Sequence, residues 1–309
     1  MKRNTYPLHP DFKRYAKAHP PLFRPLLPLV RGFGTLVYKC QKSEKELLVQ
    51  KLKISTRDGA GMRSLLYTPR SATEKLPCLI VFHGGGFVLP AAPYHYALAK
   101  AYAKGAHCKV LFVNYRLAPK HKFPTAVHDC IDAYFYTLNN AAALGVDNAK
   151  IAVSGDSAGG NLAAVVCLAA KLKTAPMPRG QMLLYPALSF DENTQSMQKY
   201  ADAPMCSRRD ARKFAALYLK KGTRADDCYL SPTNVQTHEG LPPAYIETAE
   251  FDCLRDSAIL YAEQLENSGV ACTLRHTQGT PHAFDMAQAS AITRACVQDR
   301  IRFLREIFS

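Results

Sequence analysis

Hydrophobic positions along this chain fall into a strand register and a helix register that take turns. Segment 47–54 alternates apolar with polar residues, as an edge strand does, 62–68 reads as a second strand after the turn at 57–61, and 77–82 is almost wholly apolar, as a strand covered on both faces must be. The same reasoning predicts strands over 109–115, 151–154, 181–185, 244–249 and 271–277, and helices over 94–104, 125–143, 158–172, 257–267 and 291–308. Alternation at this spacing predicts an α/β fold: a central, mostly parallel sheet with helices on both faces. Two stretches interrupt it. Residues 1–45 read as irregular and helical pieces, and 187–222 as a polar stretch with an amphipathic helix over 208–219, so each is expected to lie over the sheet as a cap segment. No linker, repeat or low-complexity tract divides the remainder, so residues 46–309 are expected to form one domain with a helical cap insertion at about 187–222.

The change from strand to helix is sharpest at Ile-Ala-Val-Ser-Gly-Asp-Ser-Ala-Gly-Gly-Asn, residues 151–161, which sets Ser157 inside Gly-x-Ser-x-Gly. A turn this tight needs room for backbone on backbone, which Gly155, Gly159 and Gly160 provide, and it lifts the serine hydroxyl over a helix N-terminus. A serine hydroxyl is a poor nucleophile at neutral pH and needs a base, and the base needs an acid to orient it. His282 follows the last predicted strand and Asp252 the one before it, in the chain order Ser, Asp, His; Glu250 and Asp256 are the nearest competing acids. In a parallel sheet the C-terminal strand ends gather on one edge, so Ser157, Asp252 and His282 are able to meet there. A third loop, His83-Gly84-Gly85-Gly86-Phe87, leaves backbone N–H groups open to an anion directly after a buried strand. With Ala158, Gly84 and Gly85 are the expected oxyanion hole, in which each donor is worth about 3 to 4 kcal/mol of barrier. Neither a phosphate-binding loop nor a dinucleotide fingerprint is present, and no cofactor is expected.

Composition changes this picture in two places. The formal charge of +15 suggests nucleic acid, but residues 1–60 carry 13 Lys/Arg against 4 Asp/Glu and residues 199–224 carry 8 against 2, leaving the rest balanced. With no nucleic-acid module and no aromatic stacking stripe, the charge reads as a solvated basic face over the cap segments or as a lure for anionic esters. The ten cysteines are widely spaced without a Cys-x-x-Cys pair, so free thiols in a reducing cytoplasm are expected and a metal site is not. The first apolar run, broken by arginines and prolines, reads as neither signal peptide nor membrane span, and the lack of a long exposed apolar helix disfavours action at a lipid interface.

Taken together, His83 to Phe87, Tyr115-Arg116-Leu117-Ala118-Pro119, Phe123-Pro124, Gly155 to Asn161, Leu241-Pro242-Pro243, Ala249-Glu250-Phe251-Asp252 and Pro281-His282-Ala283-Phe284 resemble the hormone-sensitive-lipase-like branch of the α/β-hydrolases from about residue 45 to the end. The resemblance implies a carboxylesterase with a cap built partly from the N-terminus, catalytic Ser157, Asp252 and His282, an oxyanion hole at Gly84, Gly85 and Ala158, and a preference for short acyl chains. The chain departs from that pattern at Lys120, Cys253 and Ala283, where Glu, Pro and Gly are common, and none of these removes a catalytic group. The expected partner is a small-molecule ester, with no nucleic acid, no stable membrane insertion, and a monomer or homodimer. Two alternatives stay open: an amidase, formamidase or sugar or drug deacetylase using the same triad, and a non-catalytic small-molecule receptor on the same fold.

Overall fold

The computed structural model describes residues 5–309; residues 1–4, where the expected N-terminal cap segment begins, lie outside the described residues. Eight strands form one sheet: β1 (Leu47–Ser55), β2 (Gly61–Pro69), β3 (Leu76–Phe82), β4 (Lys109–Val113), β5 (Val146–Asp156), β6 (Gln181–Leu184), β7 (Ala244–Phe251) and β8 (Cys272–Pro281). Their order is β1-β2-β4-β3-β5-β6-β7-β8, with β2 antiparallel to both its neighbours and every pairing from β4 onward parallel. The helices are α1 (Leu27–Lys39), α2 (Pro93–Gly105), α3 (Thr125–Asn139), α4 (Ala141–Leu144), α5 (Ala158–Leu172), α6 (Gln195–Lys199), α7 (Arg208–Tyr218), α8 (Arg255–Asn267) and α9 (Ala291–Phe308).

Period-two alternation on the central strands feeds two cores. On one face Ile80, Leu111 and Val153 pack with α3, α5 and α8; on the other Leu79, Val110 and Ala152 pack with α2 and α9. The elbow helix α5 is buried along its length because α3 lies against it, which explains a sequence of small apolar residues with almost no polar face. The predicted helix over 125–143 is two helices, and strands β5 and β8 run further than periodicity suggested. The extra length of β8, to Pro281, sets His282 immediately past a strand end.

A buried charge cluster ties the second face together. Arg300 of α9, wholly buried, pairs with Glu247 of β7 and, through Nη1, with Asp285 at 2.9 Å, while Asp285 also accepts the Tyr185 hydroxyl at 2.8 Å. Removing Arg300 would leave Glu247 and Asp285 buried without their cation, at a cost of about 3–5 kcal/mol.

The two irregular stretches meet each other. Met205 N–H donates to the Ala18 carbonyl at 2.7 Å, His19 pairs with Asp210 at 2.8 Å, and the Tyr6 hydroxyl donates to Asp202. One expectation is corrected here: α1 leaves Leu29, Phe33 and Leu36 exposed at 71, 58 and 57%, with Phe23 and Leu26 beside it. The prolines and Arg31 that break this run in sequence do not break it in space, because helical winding turns residues three and four apart onto one face. No helix among the described residues is long and apolar enough to cross a membrane.

Candidate active site

Ser157 sits where β5 ends and α5 begins, and it takes a φ of 54°, a left-handed conformation rarely adopted outside glycine. The turn is possible because Gly159 packs backbone on backbone: a Cβ there would lie 2.0 Å from the Phe82 carbonyl oxygen. Three expected residues come together on the C-terminal edge of the sheet. The Ser157 Oγ lies 3.0 Å from His282 Nε2, and His282 Nδ1 lies 2.6 Å from Asp252 Oδ2. The other Asp252 oxygen accepts the Leu254 N–H at 2.9 Å, which fixes the carboxylate plane. The competing acids are used elsewhere, Glu250 on the Gly279 N–H and Asp256 on the Ser196 N–H. All three side chains are buried, and Tyr185 packs its ring edgewise on His282 at 5.1 Å.

Burial acts to lower the His282 pKa, but the Asp252 carboxylate, its hydrogen bond and nearby Cys206 outweigh burial and hold it at about 9. Imidazole accepts a proton only when neutral, so the rate constant kcat/KM for an ester is expected to rise with pH and to level off only above about 9. The linked stability runs the other way. A histidine raised above its ordinary 6.5 lends its full stabilisation below that value and loses it as pH climbs through about 9. A pH–rate profile from 6 to 10 measures this, and a flat profile would contradict the assignment of His282 as base.

The glycine loop differs from expectation at one residue. The Gly84 N–H donates to Asp156 Oδ1 at 2.8 Å, so it is already committed and does not face an empty site. Asp156 is buried next to Ser157 and also accepts the Tyr94 hydroxyl at 3.1 Å and contacts His95 Nε2 at 3.1 Å. Although burial opposes it, His95 and the Gly84 N–H hold Asp156 below the usual carboxylate range, so it is a fixed anion anchoring the loop. The N–H groups of Gly85, Gly86 and Ala158 have no acceptor among the described residues. Gly85 has a φ of 114° and a Cβ there would meet the Leu89 carbonyl oxygen at 2.7 Å, so this loop shape needs glycine. Of the expected donors, Gly85 and Ala158 are therefore open, Gly84 is not, and Gly86 is the one sequence reasoning passed over. The adjacent Asp156 was the available signal, because a carboxylate between Gly155 and Ser157 must find a donor when buried.

Segment 187–222 lies on this loop. The Phe214 ring of α7 sits against Gly86, and Phe87 stacks with Tyr218 at 4.0 Å and with Phe190 at 6.3 Å. A hydroxyl aligned with an imidazole and a carboxylate, unpaired N–H donors at Gly85, Gly86 and Ala158, and aromatic side chains packed on the glycine loop suit attack on the carbonyl of a mostly apolar molecule. No group of three or more His, Cys, Asp or Glu side chains among the described residues is arranged to hold a metal ion.

The geometry agrees with what this chain is similar to. A family profile described as the alpha/beta hydrolase fold matches residues 79–286. Carboxylesterase NlhH of Mycobacterium tuberculosis is 38% identical over 223 residues, covering 71% of this chain and 70% of that protein. Ethyl acetate hydrolase of Pseudomonas putida is 34% identical over 258 residues, covering 82% of this chain and 80% of that one. Among solved structures, a bacterial heroin esterase superposes with a TM-score of 0.90 at 29% identity over 98% of both chains. An esterase of Pyrobaculum calidifontis gives 0.88 at 32% identity, over 97% of this chain and 99% of that one.

Proposed function

The chain belongs to the hormone-sensitive-lipase-like family of the α/β-hydrolase fold, and on that premise we propose that it is a serine carboxylesterase that cleaves short-acyl esters through an acyl-Ser157 intermediate. The observation that carries this is the unbroken line from Asp252 through His282 to Ser157, at 2.6 and 3.0 Å. His282 Nε2 takes the Ser157 proton as Oγ adds to the ester carbonyl, then hands it to the departing alkoxide. A water molecule, deprotonated by the same imidazole, attacks the acyl-serine and releases the acid, while Asp252 holds the ring with Nδ1 protonated and balances the imidazolium. The developing oxyanion is received by the N–H groups of Gly85, Gly86 and Ala158, and Asp156 acts at one remove by holding Gly84.

The cap in this reading is made of two pieces, residues up to 45 and residues 187–222, joined by the Ala18–Met205 and His19–Asp210 contacts. The likeness to ethyl acetate hydrolase of Pseudomonas putida supports short acyl chains, and Phe214 and Tyr218 pack on the glycine loop at Gly86 and Phe87. A series of p-nitrophenyl esters from acetate to palmitate tests this: kcat/KM is expected to peak at two to four acyl carbons, and a palmitate optimum would sink it. The matching p-nitroanilide should react far more slowly; an equal rate would favour the amidase alternative. The basic residues of both cap pieces support a pull on anionic esters, so a carboxylate-bearing ester should gain over its neutral analogue at low salt and lose that gain at high salt. All ten cysteines are free thiols, and on that ground we place the protein in the reducing cytoplasm.

A further inference from the structure

On the β2–β4 side of the glycine loop, away from Ser157, α1 and the ends of these strands enclose a cavity of about 290 Å³. Its wall carries Arg31, Arg63, Arg116, Lys120 and His121 and, among the described residues, no carboxylate. Only Arg116 is neutralised, by Asp129 at 2.6 Å and by Asp58 at 2.7 Å, both behind the wall. Arg31 gives one Nη2 hydrogen to the Ala118 carbonyl, but its Nε is buried with no acceptor. Asn114 is in the same condition: its oxygen accepts the Tyr96 hydroxyl at 3.3 Å, while its Nδ2 is buried without a partner. Arg63 lies over the Tyr38 ring at 5.4 Å, and neither it nor Lys120 has an acidic partner within salt-bridge distance among the described residues. The crowding is felt by His121, whose pKa is pushed down by burial and then by Arg116, Lys120 and Arg31.

Arg31, Arg63 and Lys120 bring three cations without carboxylate partners among the described residues to one cavity, and a small anion bound there would neutralise them. We propose that this cavity is a binding site for a small oxyanion, a phosphate or carboxylate group on a compact molecule, separate from the ester site. Arg31 and Asn114 line the interior, and Arg63 and Lys120, both exposed, supply charge at the mouth. The floor of the cavity is His83, stacked on Tyr115 at 4.5 Å, and Tyr115 donates its hydroxyl to the His83 carbonyl at 2.7 Å. Burial first, and His95 next, push His83 down to about 4, so it is neutral and adds no charge of its own. A ligand here rests against the root of the loop that carries Gly85 and Gly86.

The proposal stands on the cavity alone and is read by binding, so it does not share the fate of the esterase assignment. The test is titration calorimetry of the full chain with inorganic phosphate and, separately, malonate, with sodium chloride holding ionic strength constant. Saturable one-to-one binding is expected for at least one of the two, and which one binds assigns the oxyanion to phosphates or to carboxylates. Lys120→Glu, at an exposed position that leaves the fold alone, should weaken binding about tenfold or more, and Arg31→Gln should weaken it further. Lys213→Gln, on α7 and outside the cavity, should bind as the parent does. No saturable binding of either anion overturns the proposal, as does an equal loss in Lys213→Gln, which would make the effect one of net charge.

Discussion

Replacing Ser157 by alanine is expected to lower kcat for p-nitrophenyl acetate by roughly 10⁴-fold or more, with the thermal midpoint hardly moved. The hydroxyl is the only atom lost. It makes no contact that holds the elbow: the turn is fixed by the Ser157 N–H on the Leu184 carbonyl at 2.9 Å and by the Asn161 and Ala187 N–H groups on the Ser157 carbonyl. Alanine retains the Cβ, so the backbone strain at φ 54° is inherited rather than altered. Initial rates with calorimetry on the same preparation check both halves. Near-parental turnover in the variant would remove the acyl-enzyme mechanism, and a collapsed midpoint would show the hydroxyl to be structural.

Asp252→Asn should cost about as much, roughly 10⁴-fold in kcat, through a different physical route. Asparagine keeps the shape but presents an amide that donates to Nδ1, which forces the imidazole proton onto Nε2, where it faces Ser157 and cannot accept a proton. The variant also removes the charge that keeps the His282 pKa near 9, so the alkaline rise in kcat/KM should move to lower pH as activity falls. A structural role alone would lower the rate at every pH without moving that limb. Phosphonylation of Ser157 gives a second readout, since it should slow in step with hydrolysis.

Much of this site was legible in the chain because its chemistry depends on short motifs tied to strand ends. Gly-x-Ser-x-Gly between an apolar run and an alanine-rich run specifies a strand, a tight turn and a helix, whatever surrounds them. Asp252 and His282 were legible for a related reason: a parallel sheet brings the ends of β5, β7 and β8 to one edge, so chain order carries spatial information. The partition of hydrogen bonds inside the glycine loop was not legible. Gly84, Gly85 and Gly86 are chemically alike in sequence, and which N–H remains open depends on Asp156, 72 residues away from Gly84.

The sequence by itself determined the fold class, the elbow, the ester-hydrolase family and the three residues, Ser157, His282 and Asp252, that line up in space and are proposed to act as nucleophile, base and acid. Those follow from residue type and local periodicity, which neighbours in the chain settle. Tertiary structure alone decided that Gly86 stands open where Gly84 does not, that the interrupted apolar run of α1 becomes an exposed face, and that Arg31, Arg63 and Lys120 from three separate segments surround one cavity. The physical reason is that each concerns what a group faces: for Gly84 and for the cavity the facing partner is supplied by chain dozens of residues away, and for α1 the apolar face is left to solvent.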